Sequence, residues 1–314
     1  LDLGFVLSGF LVTARLLAEH RATGSISIGR WFGRRARRLL PALFLLLVGA
    51  VLSEPVWGSA IGRHDLRGDA FAALAGVSNW RTIAAGRPGT ISPAASPLEH
   101  LWSLAVMAQF LLVWPLATIG VTRRRPPAQA ARRLLATATA AAAGSAAVGA
   151  ALVARGAPTI RLVEGTDTRA FGLLVGAATA CWWAEARGST SAGNRAARAV
   201  VAVAGPAAAA ALVGIGLAIH GASPLRTSVA LHAASVLAAV VIVGSMLPGG
   251  LPLVGPVLRT RPLRCAGRIA YGLYLWHWPV FLVLTEARTG RHGAELLAAR
   301  IAASVALAAA SYLL

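Results

Sequence analysis

Lysine is absent from this chain of 314 residues, and all thirty of its basic side chains are arginine. Acidic residues number only 11, and charged residues of either sign make up 13% of the sequence, about half the share of a typical soluble domain. So little charge excludes an ordinary soluble protein. Cysteine is nearly missing as well. Cys181 and Cys265 are too few for a disulfide framework and lack the CxxC spacing of a metal site, so no metal is expected and both thiols are expected to be reduced packing residues. Aromatic residues reach only 6%, and the apolar runs, rich in Ala and Leu, do not alternate with period two, which speaks against a membrane β-barrel.

Hydrophobic residues make up 57% of the chain, and the mean hydropathy is +0.67. That composition is the signature of an integral membrane protein, whose spanning helices each need about 20 apolar residues. The expected fold class is all-α, a polytopic transmembrane helical bundle forming one domain over residues 1–314. Apolar runs between Arg clusters predict nine spans, near 1–19, 39–57, 98–120, 132–154, 168–186, 197–220, 228–247, 268–286 and 296–314. A net charge of +19 would suggest nucleic acid in a soluble chain, but here Arg sits in short segments between apolar runs, where it orients helices. The expected surroundings are therefore membrane lipid and not nucleic acid. Abundant Ala and exclusive use of Arg point to a high-GC bacterial genome, and so to a bacterial cytoplasmic membrane.

The segment 68–84 is apolar only from Ala70 to Val77, and the positive-inside rule decides how to treat it. Segment 15–38 carries seven Arg, 121–133 five, 187–198 three and 248–268 four, whereas 155–167, 221–227 and 287–295 carry two, one and two. The alternation holds with nine spans only if 68–84 does not cross, so it is expected to be a re-entrant or surface helix on the outer face. Residue 1 is then outside and residue 314 inside. A chain opening on Leu1 in an apolar run and stopping in another is expected to lack one preceding span and to be cut at its C-terminus.

Four places could carry chemistry. Arg34, Arg35, Arg37 and Arg38 put four guanidinium groups at the cytoplasmic mouth of the second span, where they could grip phosphates bidentately or simply anchor the helix to anionic lipid. His100, beside Glu99 and ahead of Trp102 and Ser103, could act as a general base near neutral pH or belong to an interfacial cap. Asp167 can cap the helix that it opens, whereas Arg169, just inside the apolar run, is expected to be held in an ion pair. His277 stands near the middle of a span between Trp276 and Trp278, ahead of Pro279, and either makes a structural hydrogen bond or lines a polar cavity. His232 is expected to be structural.

In this order the blocks Asp2-Leu-Gly-Phe-Val-Leu-Ser-Gly-Phe10, Arg34-Arg-Ala-Arg-Arg-Leu-Leu-Pro41, His100-Leu-Trp-Ser-Leu-Ala-Val106 with Gln109-Phe110 and Trp114-Pro115, Asp167-Thr-Arg169, and Tyr271-Gly-Leu-Tyr-Leu-Trp-His-Trp-Pro279 make the chain closely resemble the membrane-bound acyltransferase-3 family of bacterial O-acyltransferases. The resemblance implies transfer of an acyl group, commonly acetyl from cytosolic acetyl-CoA, to a hydroxyl of a cell-envelope glycan, lipid-linked sugar or secreted metabolite. It implies that Arg35 and Arg38, with Arg34 and Arg37 adjacent, serve the acyl-CoA donor. His100, Asp167, Arg169 and His277 are the polar groups available for catalysis. Two departures stand out. The family's catalytic His lies in a first span expected to be missing here, and Met107 and Ala108 stand where the family has two acidic residues, which predicts a slow member. A transporter or flippase with Arg169 and His277 along its path, and an inactive family member acting as a membrane partner, are the alternatives.

Overall fold

The computed structural model describes residues 1–53, 63–86, 96–186, 192–219, 223–247, 251 and 254–313, and among these no strand occurs. The helices in chain order are α1 (Asp2–Thr23), α2 (Ile28–Leu52), α3 (Arg63–Leu74), α4 (Ser78–Ala85), a 3₁₀ turn (Glu99–Leu101), α5 (Trp102–Thr122), α6 (Pro127–Ala154), α7 (Thr159–Glu164), α8 (Thr166–Ala186), α9 (Ala192–Ala218), α10 (Pro224–Met246), α11 (Val254–Leu258), α12 (Arg261–Val283), α13 (Glu286–Thr289) and α14 (Gly293–Tyr312). Over its described residues, each of the nine apolar runs falls mainly on a helix of at least 20 residues. Among the described residues five helices are long and apolar enough to cross a membrane: α1, α5 with its 3₁₀ turn, α6, α10 and α14; α9 makes a sixth if its two bent parts are one span. That bend of 41° falls between Val201 and Val203, where Pro206 removes the hydrogen bond to the carbonyl of residue 202.

Apolar side chains on these helices lie open. Phe44 is 60%, Leu217 76% and Val203 82% exposed, as suits lipid contact and not water. In α2 the Arg residues occupy the first half and the apolar run begins only at Leu39; α12 repeats this with Arg261, Arg264 and Arg268 ahead of its apolar half. This shared pattern explains why neither passes as a uniform apolar span. The chain belongs to the polytopic helical class.

The described residues gather into two compact units, one of residues 1–28 and 106–258, the other of 29–105 and 259–314. In the first unit α8 is central and packs on α1, α6 and α10. The contact with α6 is made by a buried stripe at Ala130, Leu134, Ala138, Ala142, Ser145 and Gly149, spaced by three and four residues so that one helix face is nearly smooth. α1 approaches α8 more closely still. A Cβ on Gly176 would collide with the Val6 carbonyl oxygen, and one on Gly9 with the Leu173 carbonyl oxygen, so each helix offers its backbone to a glycine of the other. Around this crossing lies a core that includes Val6, Phe10, Ala180, Ala238 and Ile242. Gly176→Val should therefore destabilise the unit by about 1–3 kcal/mol through overpacking. Thermal unfolding in detergent beside Gly120→Val, which meets open space, checks this; equal melting of the two variants would rule out the close crossing.

The second unit packs Ala42, Leu46, Leu47 and Ala50 of α2 with Leu66, Leu98, Leu101 and Leu275. Segment 68–84 lies on α3 and α4, each shorter than a membrane span and joined through a turn in which Gly76 has φ of 69°. An Arg81–Asp69 ion pair at 2.6 Å clasps the two helices, and a Cβ on Gly68 would strike the Arg81 guanidinium.

Candidate functional site

A polar cluster of the second unit forms where residues 96–103 meet the middle of α12. Pro279 has no N–H, so the Leu275 carbonyl one turn earlier has lost its helical donor. His100 supplies the replacement. Its Nε2 lies 3.1 Å from that oxygen and donates to it. The Tyr274 hydroxyl donates to the His100 carbonyl at 2.5 Å and accepts from Ser103 Oγ at 2.5 Å. Trp278 Nε1 donates to the Ser96 carbonyl at 2.9 Å. Four hydrogen bonds thus lock the turn onto α12. His100 and His277 meet edge to face with ring centroids 5.4 Å apart. His277 Nδ1 donates to the Tyr274 carbonyl at 2.7 Å, which leaves Nε2 as its acceptor nitrogen. His100 is buried, whereas His277 is only partly covered.

Nearer the start of α12, a pocket of about 180 Å³ is lined by Arg37, Arg38 and Arg268, with Tyr271, Ser311 and Tyr312 among its walls. The Tyr271 hydroxyl donates to the Leu39 carbonyl at 3.0 Å and ties α12 to α2. Of the four Arg singled out in α2, Arg37 and Arg38 line this pocket, Arg35 stacks over the Trp31 ring at 4.3 Å, and Arg34 is exposed. Helical spacing turns Arg35 away, by about 100° from Arg34, while Arg34 shares the direction of Arg37 and Arg38 but stands about a turn before the pocket.

Asp167 and Arg169 belong to the first unit. Asp167 is no simple cap: Arg161 holds both its oxygens, at 2.7 and 2.6 Å. Those hydrogen bonds raise the Arg161 guanidinium above its ordinary range, so it stays a cation. Arg169 is 5% exposed, pairs with Asp2 at 2.9 Å and lies 4.9 Å over the Phe5 ring. Thr166 Oγ1 donates to Gln109 Oε1 at 2.6 Å. His232 donates from Nδ1 to the Ser228 carbonyl at 2.6 Å and packs edge-on against Phe171. Both cysteines are free, Cys181 buried and Cys265 exposed, so the packing role expected of both suits only Cys181. Among the described residues no three His, Cys, Asp or Glu side chains could hold a metal ion.

Sequence reasoning brought His100 and His277 forward separately, and the fold brings them together. It named Ser103 only as a neighbour of His100 and gave no role to Tyr274 or Arg268. The first two needed a partner far along the chain to reveal them. Arg268 stood in the Arg-rich segment 248–268 and was counted only as a topology signal.

Long apolar helices and a polar site within one helical unit define a polytopic helical membrane protein. The family model for the acyltransferase domain matches residues 5–314, and the chain belongs to this acyltransferase family. Its relatives include the provisionally named peptidoglycan O-acetyltransferase YrhL of Bacillus subtilis, 31% identical over 91% of this chain and 44% of the relative. The peptidoglycan O-acetyltransferase OatA of Listeria monocytogenes is 30% identical over 90% of this chain and 45% of its own length. The O-acetyltransferase OatA of Staphylococcus aureus is 28% identical over 91% and 46%. The chain therefore spans a little under half the length of these relatives. No solved structure matches it.

Proposed function

We propose that this protein is a multi-pass O-acyltransferase of a bacterial cytoplasmic membrane that moves an acyl group, expected to be acetyl from acetyl-CoA, to a hydroxyl of a cell-envelope glycan. The relatives named for peptidoglycan O-acetylation make cell-wall glycan the favoured acceptor. The observation that carries the reading is the His100–His277 pair, set against the Ser103–Tyr274 hydroxyl chain, in a member of an acyltransferase family.

In this reading the Nε2 lone pair of His277 removes the acceptor hydroxyl's proton as the oxygen attacks the thioester carbonyl. The new C–O bond forms, the C–S bond breaks, and the imidazolium returns its proton to the departing thiolate. His100 acts through position, by occupying the Leu275 carbonyl two residues before His277. The Arg37–Arg38 end of the unit takes the donor phosphates. Arg268 and His277 are nine residues apart on α12, about 14 Å along the axis, a distance that an extended pantetheine arm can bridge. A transport path along Arg169 is less favoured, because Asp2 already takes up that charge.

The test is transfer of label from acetyl-CoA to cell-wall glycan by membranes containing the protein; no ester-linked label above membranes without it would overturn the reading. Met107 is half-buried and Ala108 exposed on α5, where the resemblance implies two carboxylates. Met107→Glu with Ala108→Glu is expected to raise transfer, with a ceiling of roughly 10² to 10⁴, the usual worth of a proton-transfer group. Equal, robust transfer before and after would mean that the protein works without them.

A further inference from the structure

The pocket between α2, α12 and α14 is built from arginine on two helices, and among the described residues its lining includes no Asp or Glu. Arg37 and Arg38 sit with Pro41 and Ala42 on one face of α2, at i and i+4. Arg268 sits with Tyr271 and Gly272 on one face of α12, at i, i+3 and i+4. The separation of the two faces is not left to the side chains. Tyr271 is hydrogen-bonded to the Leu39 carbonyl, one residue beyond Arg38, and Gly272 lets α14 approach until an added Cβ would stand 3.0 Å from Ala308. Three exposed arginines therefore line one cavity whose helix faces are fixed at backbone level, and like charges gathered this way favour an anion among them.

We infer that Arg268 is a third binding residue, and that with Arg37 and Arg38 it forms a site for a phosphoryl group, with Tyr271 and Tyr312 as its walls. This rests on the donor reading above, in that the phosphoryl group is assigned to the phosphate end of acyl-CoA. Arg35 is not part of the site, because its guanidinium lies on Trp31. An anionic lipid headgroup offers the same chemistry from a different source, and the experiment separates the two.

Wild type, Arg268→Ala, Arg268→Lys and Arg264→Ala are placed in nanodiscs of phosphatidylcholine, alone or with phosphatidylglycerol, and titrated with CoA and with inorganic pyrophosphate. Arg264, exposed in the first turn of α12 and outside the pocket, is the control. Arg268→Ala should weaken CoA binding about ten- to a hundredfold, the worth of a charge-assisted bidentate contact, with unchanged melting. Arg268→Lys should fall between, because it keeps the charge but loses the fork, and it guards against a misfolded alanine variant. Pyrophosphate binding that depends on Arg268 without any CoA binding would keep the anion site and overturn the donor reading. Phosphatidylglycerol that stabilises wild type but not Arg268→Ala, and displaces pyrophosphate without CoA binding, would assign the site to lipid and likewise overturn the donor reading. If Arg268→Ala matches wild type toward CoA, pyrophosphate and phosphatidylglycerol alike, the inference is overturned.

Discussion

Replacing His277 by alanine should lower acyl transfer by a factor on the order of 10² to 10⁴ while leaving the protein folded. The imidazole is partly covered, its Nδ1–H is engaged by the Tyr274 carbonyl, and its Nε2 is the acceptor that remains. Its loss should appear in kcat with little change in the KM for the donor, the pattern of a group that acts in the transition state. His277→Gln, which keeps bulk and polarity but cannot accept and return a proton at this position, should be equally slow. His100→Ala should behave differently. It strands the Leu275 carbonyl that Pro279 already left without a donor, at a cost of about 1–3 kcal/mol, so lower stability should accompany its loss of rate. Single-turnover transfer and melting measured on the same preparations separate the two effects. Wild-type turnover in His277→Ala would take this imidazole out of the chemistry.

The second large effect is expected at the Arg169–Asp2 pair. With Arg169 5% exposed on the central helix, Asp2→Ala would leave a buried cation without its carboxylate, at a cost of about 3–5 kcal/mol. Adding Arg169→Met should restore most of that loss, because an apolar side chain of similar length needs no partner and can still lie over Phe5. Unfolding of the single and double variants in one detergent forms a double-mutant cycle. Asp2→Ala as stable as wild type would show that Arg169 is satisfied without Asp2.

Between them these experiments separate two uses of polarity within an apolar chain. At Arg169 and Asp167 the charges are consumed by neighbours within one unit, Asp2 and Arg161. At His277 a nitrogen is held in place yet left open, and around Arg37, Arg38 and Arg268 three cations line a cavity without a carboxylate among the described residues. Only the second arrangement can serve a ligand without first breaking an internal contact.

By itself the sequence determined the helical class, the positions of nine long helices and the family, because each rests on local information: apolar runs set by membrane thickness, Arg punctuation between them, and ordered motif blocks. It also marked His100 and His277 as polar residues in costly places. It could not pair them, since helical periodicity describes which residues share a face and not which face meets it from far along the chain. The meeting of residues 96–103 with α12 depends on a carbonyl that Pro279 frees and His100 fills. The crossing of α1 and α8 depends on glycines opposite carbonyl oxygens, and Arg268 joins Arg37 and Arg38 only because Tyr271 and Gly272 set the helix spacing. These are contacts between distant segments, made by close packing and by hydrogen bonds that a membrane interior leaves no water to replace, and only the tertiary structure decides them.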